Sequence, residues 1–164
     1  MLLANNHMVI LAVRRLSETF NAARERFNAL HHGNKIARPV DEARTVIEVT
    51  DNGSYTLVGI SGGFDMTSEP QFAASTNALL RKGHRDYIVD LEGVTYLDGR
   101  ALGSLMTFFK AVNGQGGTIR IVTSNAFYRR LFSITGIDRV ITLYASRAQA
   151  ETALRHHQRT TAKE

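Results

Sequence analysis

Apolar and polar positions follow their clearest pattern between residues 87 and 113, where strand character changes to helix character. Residues 87–91 form a largely apolar run, and after a short polar turn a second apolar cluster leads to Asp98. Beyond Asp98 apolar residues recur at helical spacing as far as about Asn113. Asp98 is the natural N-cap, because its carboxylate can accept hydrogen bonds from the free amides of the first turn. The pattern predicts a buried strand that delivers the chain to a helix N-terminus.

The rest of the chain completes an α/β pattern. Residues 46–50 and 55–60 are predicted to form a hairpin, since the Asn52-Gly53 pair between them favours a tight turn. Strands and helices then alternate, so we expect right-handed crossovers and a largely parallel sheet of about five strands. The other predicted elements are a helix from Ser68 to Gly83, a glycine-rich turn at 114–117, a strand at 118–123, a helix from Asn125 to Gly136, a strand at 140–144 and a helix from Ser146 to about His157.

A separate amphipathic helix is predicted within residues 1–32. Its apolar positions recur in steps of three and four, as in the seam of a coiled coil. They are Val9, Val13, Leu16, Phe20, Ala23, Phe27 and Leu30. The flanking positions carry no complementary charge pattern, so the seam suits docking on its own domain as well as self-association or pairing with a partner helix. Residues 33–44 are predicted to be a linker, 45–157 the folded domain and 158–164 a disordered tail.

Composition and charge narrow the class of protein. A chain of 164 residues with 43% hydrophobic and 21% charged residues is typical of one soluble domain, and the absence of cysteine fits a reducing cytoplasm. Residues 46–145 carry nine basic and nine acidic side chains, so the net charge of +5 belongs to the flanking segments. This distribution argues against nucleic-acid binding. The apolar run at residues 8–13 is too short for a membrane span.

Three spaced segments resemble the STAS domain found in anti-sigma factor antagonists. The first is Gly62-Gly63-Phe64-Asp65, the second is the D-L-x-G-V-x-Y-L-D run that ends at Asp98, and the third is R-R-L-F-S-I-T-G-I-D-R-V-I after the strand at 118–123. The resemblance covers roughly residues 45–150. It implies a STAS-like fold with helices packed mainly on one face of the sheet. It also implies a cytoplasmic, non-enzymatic regulator of transcription that acts by partner switching.

The resemblance further implies a surface that meets a kinase-type anti-sigma factor, at the two corners marked by Asp65 and Asp98. Ser61 is expected close to the Asp98 corner, where Gly99 and Arg100 expose the first backbone of the helix. In the family's antagonists the residue after this aspartate is usually a serine that the partner kinase phosphorylates. Here it is Gly99, which has no hydroxyl. The simplest hypothesis is a protein held permanently in the unphosphorylated-like, binding-competent form.

Two alternatives stay open. Ser104 is the leading substitute phosphosite, because helical geometry places it on the exposed side one turn beyond Arg100. STAS-like proteins also occur as non-phosphorylated structural subunits, in signalling assemblies or attached to lipid and anion transport machinery. The absence of the serine permits such a role, and the apolar seam of the N-terminal helix favours it.

Patterns that suggest catalysis have simpler explanations. Gly59-Ile60-Ser61-Gly62-Gly63 matches the G-x-S-x-G nucleophile elbow, but the domain is small and no histidine stands where a triad would need it. Asp65 and Asp98 could form a carboxylate pair for acid–base chemistry or Mg²⁺, yet capping accounts for both. The His31-His32 and His156-His157 pairs are adjacent, whereas two ligands on one helical face would be three or four residues apart. We therefore predict no enzyme, no metal site and no cofactor.

Overall fold

A computed structural model describes residues 44–163 of the chain. The N-terminal helix predicted within residues 1–32 and nearly all of the predicted linker lie outside these residues. The strands are β1 (Val46–Asp51), β2 (Thr56–Phe64), β3 (Asp86–Leu97), β4 (Thr118–Val122) and β5 (Thr142–Tyr144). The helices are α1 (Glu69–Arg81), α2 (Gly99–Gly114), α3 (Ala126–Thr135) and α4 (Arg147–Thr161), with a 3₁₀ turn at Ile137–Arg139.

The five strands form one mixed sheet in the order β1-β2-β3-β4-β5. β1 pairs with β2 in antiparallel fashion, and the other three pairings are parallel. The predicted α/β fold with a largely parallel sheet is therefore confirmed. Because β2, β3 and β4 run parallel to one another, the connections that leave them share one end of the sheet.

β3 is longer than predicted. The predicted polar turn after Leu91 is wrong, because the strand continues through Glu92 and Gly93 while paired with β2. The register against β2 shifts twice, so β3 holds two more residues than its partner over this length. Gly93 lies at one of these shifts, where an added Cβ would be 2.7 Å from the Cβ of Ser61. β2 is also longer than the strand predicted at residues 55–60, since it ends only at Phe64.

Helices α1, α2 and α3 pack on one face of the sheet over the main core. Its largest fully buried side chains include Phe64, Phe72, Tyr87, Leu102 and Phe132. The rings of Phe72 and Tyr87 both meet Phe108 edge-on, with centroids 5.9 and 4.8 Å away. Three of the four helices thus cover one face, as predicted.

Helix α4 covers the opposite face with a much smaller apolar contact. Ala150 and Leu154 pack on Leu57, Ile88 and Val122 from the three central strands. These strand residues alternate with those of the main core, because successive side chains of a strand point to opposite faces. The sheet is therefore buried on both faces, which explains the nearly continuous apolar runs in β2 and β3.

Polar contacts add to the attachment of α4. Nε and Nη2 of Arg147 donate to Oδ2 of the buried Asp90, at 3.2 and 2.8 Å, and this hydrogen bond raises the pKa of Arg147 above its usual value. Burial, aided by a hydrogen bond to Glu151, raises the pKa of Tyr55 to about 12. The Gln158 amide donates to the Ser54 carbonyl at 2.8 Å. This last contact explains why α4 runs to Thr161, although its end was predicted near His157 and residues 158–164 were predicted to be disordered.

The N-cap predicted at Asp98 is confirmed, and two of the other three residues at which a helix was predicted to begin are N-caps as well. Asp98, Asn125 and Ser146 each accept hydrogen bonds from amides in the first turns of α2, α3 and α4. Ser68 precedes α1 but makes no capping hydrogen bond; its hydroxyl instead accepts from the amide of Asp65 at 2.9 Å. That serine shapes the loop before the helix rather than the helix itself.

Between residues 44 and 163, none of the helices combines the length and the apolar character that a bilayer-spanning segment requires.

The backbone of Arg85 lies so close to Gly117 that a side chain at this position should destabilise the fold. A Cβ at Gly117 would lie 2.1 Å from the carbonyl oxygen of Arg85, which accepts from the Thr118 amide. Gly117→Ala must shift backbone, and we expect it to lower the free energy of unfolding by about 2 kcal/mol or more. The midpoint of urea denaturation measures this change.

Gly114→Ala is the matched control. Gly114 ends α2 without a positive φ, and an added Cβ would meet no heavy atom within 4 Å apart from its chain neighbours and the backbone of its own helix. The control should be neutral or stabilising by about 0.5 kcal/mol, because alanine restricts the unfolded chain. Equal destabilisation by both variants would contradict the steric argument.

Candidate functional site

The two predicted aspartate corners lie side by side at the C-terminal ends of β2 and β3. Phe64 and Leu97 are register partners in these parallel strands, so Asp65 and Asp98 directly follow a paired position. The amide of Asp98 donates to the carbonyl of Phe64 at 3.3 Å. We call residues 64–68 and 97–100 together the aspartate corner.

The Asp98 carboxylate joins the two halves of this corner. Its Oδ1 accepts from the amides of Arg100 and Ala101, both at 2.9 Å, and so caps α2. Its Oδ2 accepts from the amide of Met66 in the β2–α1 loop at 3.1 Å. The negative charge also lies at the positive end of the helix dipole. One side chain therefore sets the start of α2 and the position of the neighbouring loop.

Asp65 is buried within the aspartate corner and bonds to residues of its own loop. Its side chain is buried, and its Oδ1 accepts from the amide and the hydroxyl of Thr67 at 2.8 and 2.6 Å. Its own amide donates to the Ser68 hydroxyl. Its contact with a partner stays a prediction, and within the described residues its bonds shape the loop. The exposed residues of this loop are Met66 and Thr67.

Gly99 and Arg100 begin α2 at the centre of the corner. Gly99 is buried, and its φ lies outside the left-handed region that favours glycine. A serine could therefore adopt the same backbone conformation. Arg100 is exposed and adds a positive charge beside the capped helix start.

The two candidate serines lie elsewhere. Ser61 pairs with Val46 and Gly93 within the sheet, upstream of the corner, and lines a shallow cavity of about 240 Å³ together with Asp90 and Arg147. Its predicted position beside Asp98 is wrong, since β2 runs on for three residues after it. Ser104 was predicted to be exposed but is half-buried, in a groove of about 540 Å³ between α1 and α2.

The residues whose sequence patterns suggest catalysis, Ser61, Asp65 and Asp98, have structural roles in the fold. Ser61 lies in a doubly paired strand, which differs from the sharp strand-to-helix turn of a nucleophile elbow. The carboxylates of Asp65 and Asp98 both accept from backbone amides, as capping groups do. Among residues 44–163, no three His, Asp or Glu side chains cluster as metal ligands would.

A second acidic contact at this end of the sheet was not anticipated. The Glu92 carboxylate accepts from the hydroxyl of Ser124 at 2.7 Å and also from its amide. This contact ties the β4–α3 loop to β3, just as Asp98 ties the β2–α1 loop. A glutamate immediately after the apolar run at 87–91 was the only signal in the sequence, and it did not identify Ser124.

Comparisons with known proteins agree with this geometry. The STAS domain profile matches residues 46–150. An anti-sigma-B factor antagonist from Bacillus subtilis is 31% identical over 99 residues, covering 60% of this chain and 90% of the relative. One from Staphylococcus aureus is 31% identical over 91 residues, covering 56% and 84%. The crystal structure of an anti-sigma factor antagonist from Mycobacterium paratuberculosis superposes with a TM-score of 0.63 at 25% identity, covering 68% of this chain and 95% of the other.

The double role of Asp98 can be tested with two substitutions. Asp98→Asn keeps one oxygen for the cap but replaces the acceptor of the Met66 amide by an NH₂ group. We expect the Met66 amide to exchange with solvent about ten-fold faster in NMR measurements, with less than about 1 kcal/mol lost in stability, because asparagine caps nearly as well as aspartate. Asp98→Ala removes both roles and should cost about 1–2 kcal/mol.

The amide of Phe127 is the internal control for both variants. It bonds to Asn125 Oδ1 at 2.9 Å in the separate cap of α3, so its exchange should not change. Unchanged exchange at Met66 in both variants would show that Asp98 does not hold the loop.

Proposed function

The chain belongs to the STAS domain family, and we propose that it is a cytoplasmic anti-sigma factor antagonist, a non-enzymatic regulator that binds a kinase-type anti-sigma factor through the aspartate corner. The observation that carries the proposal is the Asp98 carboxylate, which fixes the β2–α1 loop and the start of α2 as one unit. A preformed surface of this kind loses little conformational entropy when a partner binds.

The exposed side chains of the corner support protein recognition. Met66 is a large apolar side chain that is 53% exposed, and Arg100 places a positive charge near it. Methionine and arginine are both enriched at protein–protein interfaces. In this proposal Met66, Arg100 and the outer edge of Asp98 contact the partner, whereas Asp65 acts as a positioning residue beneath them.

Gly99 determines how the interaction is regulated. A phosphate at the first position of α2 would be stabilised by the helix dipole and would add about two negative charges to the interface. Gly99 has no hydroxyl to accept a phosphate. In our proposal the protein therefore stays permanently in its binding-competent form.

Ser104 remains the alternative phosphosite. It lies one helical turn after Arg100, in the same groove wall, and a phosphate there would lie near that guanidinium. Its half-buried position limits access by a kinase.

A structural subunit of a signalling assembly or transport complex is the second candidate function. The apolar seam predicted for residues 9–30 favours it, because an additional amphipathic helix is a natural device for assembly. Co-purification from the native host separates the two functions. A kinase-type anti-sigma factor favours the antagonist, and a transport ATPase or a large homo-oligomer favours the subunit.

Two exposed apolar residues provide a matched test of the binding surface. Met66 lies in the aspartate corner. Ile134, which is 65% exposed, lies in the last turn of α3 and so outside the corner. Met66→Asp should weaken binding to a purified kinase-type anti-sigma factor from the same genome at least about ten-fold in calorimetry, because a charge would be desolvated at the interface. Ile134→Asp should change the affinity less than about two-fold. Similar effects from both variants, or no binding by the wild type, would contradict the proposal.

A further prediction concerns phosphorylation. Gly99→Ser should become a substrate of the partner kinase and gain the mass of one phosphate, and the modified protein should lose affinity for the partner. The unaltered protein should gain no mass under the same conditions. If it does gain a phosphate, and Ser104→Ala abolishes the gain, then Ser104 is the phosphosite and the protein is not permanently active.

A further inference from the structure

The chain contains two Asn-Gly pairs, and the fold places them in different backbone environments. Asn52-Gly53 lies in the turn between β1 and β2, whereas Asn113-Gly114 ends α2. This dipeptide is chemically labile, because the amide nitrogen of the glycine can attack the side-chain carbonyl carbon of the asparagine. Glycine leaves that nitrogen unobstructed, since it has no Cβ. The same chemistry can therefore be compared at two positions of one molecule.

The β1–β2 turn leaves the first pair open to this reaction. Residues 51–54 are all exposed, and β1 ends at Asp51, so the Gly53 amide takes no part in strand pairing. Gly53 has a φ of +76°, and even an added Cβ would meet no heavy atom within 4 Å apart from its chain neighbours. Asn52 and Gly53 therefore have room to change their backbone angles as ring closure requires.

The Asp51 carboxylate contacts the nitrogen that has to react. Its Oδ1 accepts from the Gly53 amide at 2.8 Å. Attack on Asn52 requires this nitrogen to give up its proton, and a carboxylate within hydrogen-bond distance can accept that proton as a general base. Asp51 is therefore placed both to orient the Gly53 amide and to take its proton.

The second pair is protected by its helix. Gly114 is the last residue of α2, and a helical amide donates its proton to the carbonyl four residues earlier. The backbone that follows is bound to the same helix end, since the amide of Gly116 donates to the carbonyl of Asn113 at 3.0 Å and that of Gly117 to the carbonyl of Val112 at 2.9 Å. The end of α2 must open before Asn113 can react.

From these observations we infer that Asn52 is a modification site, at which the β1–β2 turn deamidates spontaneously with Asp51 as the general base. The Gly53 nitrogen bonds to Cγ of Asn52, and the bond from Cγ to the side-chain NH₂ group breaks. The proton that Asp51 takes from the Gly53 nitrogen is passed to this NH₂ group, which leaves as ammonia. Water then opens the cyclic imide at either carbonyl. Position 52 becomes aspartate or isoaspartate, and both add one negative charge.

Isoaspartate should also change the attachment of α4. Its backbone runs through the former side chain, so the turn gains one methylene group. The carbonyl of Ser54, two residues further on, accepts from the amide of Gln158 at 2.8 Å. A longer turn displaces this carbonyl and should loosen the last turn of α4. Aspartate keeps the backbone length, so it should leave the contact with Gln158 in place.

Site-resolved mass spectrometry of the full chain tests the inference. The protein is incubated at neutral pH, folded or in urea, and the peptides that contain Asn52 and Asn113 are analysed at intervals. We expect Asn52 to convert at least about ten-fold faster than Asn113 in the folded protein, and the two rates to agree within about two-fold in urea, where no helix protects Asn113. Equal rates in the folded protein would overturn the inference.

Asp51→Ala tests the contribution of the carboxylate. The variant should convert Asn52 at least about five-fold more slowly than the natural sequence, because the Gly53 amide loses its general base. The rate at Asn113 should not change, which also shows that the variant is folded. An unchanged rate at Asn52 would overturn the role of Asp51.

Hydrogen exchange at the end of α4 distinguishes the two products. The isoaspartyl form, isolated by chromatography from aged protein, is compared with Asn52→Asp, which has the same charge and the normal backbone length. The amides of residues 158–161 should exchange at least about three-fold faster in the isoaspartyl form. Equal exchange in the two proteins would overturn the predicted effect on α4.

Discussion

The bridge that Asp98 makes between two strand-to-helix corners is the interaction on which the candidate site depends. One carboxylate oxygen satisfies the amides that the start of α2 leaves unpaired, and the other holds the amide of Met66. Each of these three hydrogen bonds is modest on its own, but all of them are charge-assisted and share one side chain. Movement of the β2–α1 loop therefore means breaking a contact to the α2 cap, and the two halves of the corner behave as one surface.

The length of β3 is the reason that such a corner exists. β4 pairs only with Asp86–Asp90 at the start of β3, whereas β2 follows β3 to Leu97. The last part of β3 thus projects beyond β4 with β2 alongside, and the two bulges adjust its register so that Phe64 meets Leu97. The contact from Glu92 to Ser124 ties the β4–α3 loop to the start of this projecting part of β3. Acidic side chains on and after β3 therefore organise the loops on both sides of it.

Gly99 places no hydroxyl at the start of α2. Position 99 uses a backbone conformation open to any residue, so the backbone conformation there does not require glycine. A family whose members share this architecture can therefore include proteins that carry a phosphate acceptor at this corner and proteins that do not. In the second kind, control of binding has to come from elsewhere.

The sequence by itself determined the order and type of the elements, the caps at Asp98, Asn125 and Ser146, and the glycine at position 99. The elements and the caps depend on residues a few positions apart, so local periodicity and side-chain chemistry are sufficient to predict them. The glycine is read directly from the sequence. Only the tertiary structure decided that Asp98 reaches Met66 and that Glu92 reaches Ser124, each across 32 positions. It also decided that Asp65 is buried, that Ser61 lies away from the corner and that β3 does not turn after Leu91. Those outcomes follow from strand register and bulges, which are fixed by pairing with distant segments, and no local pattern in the chain encodes them.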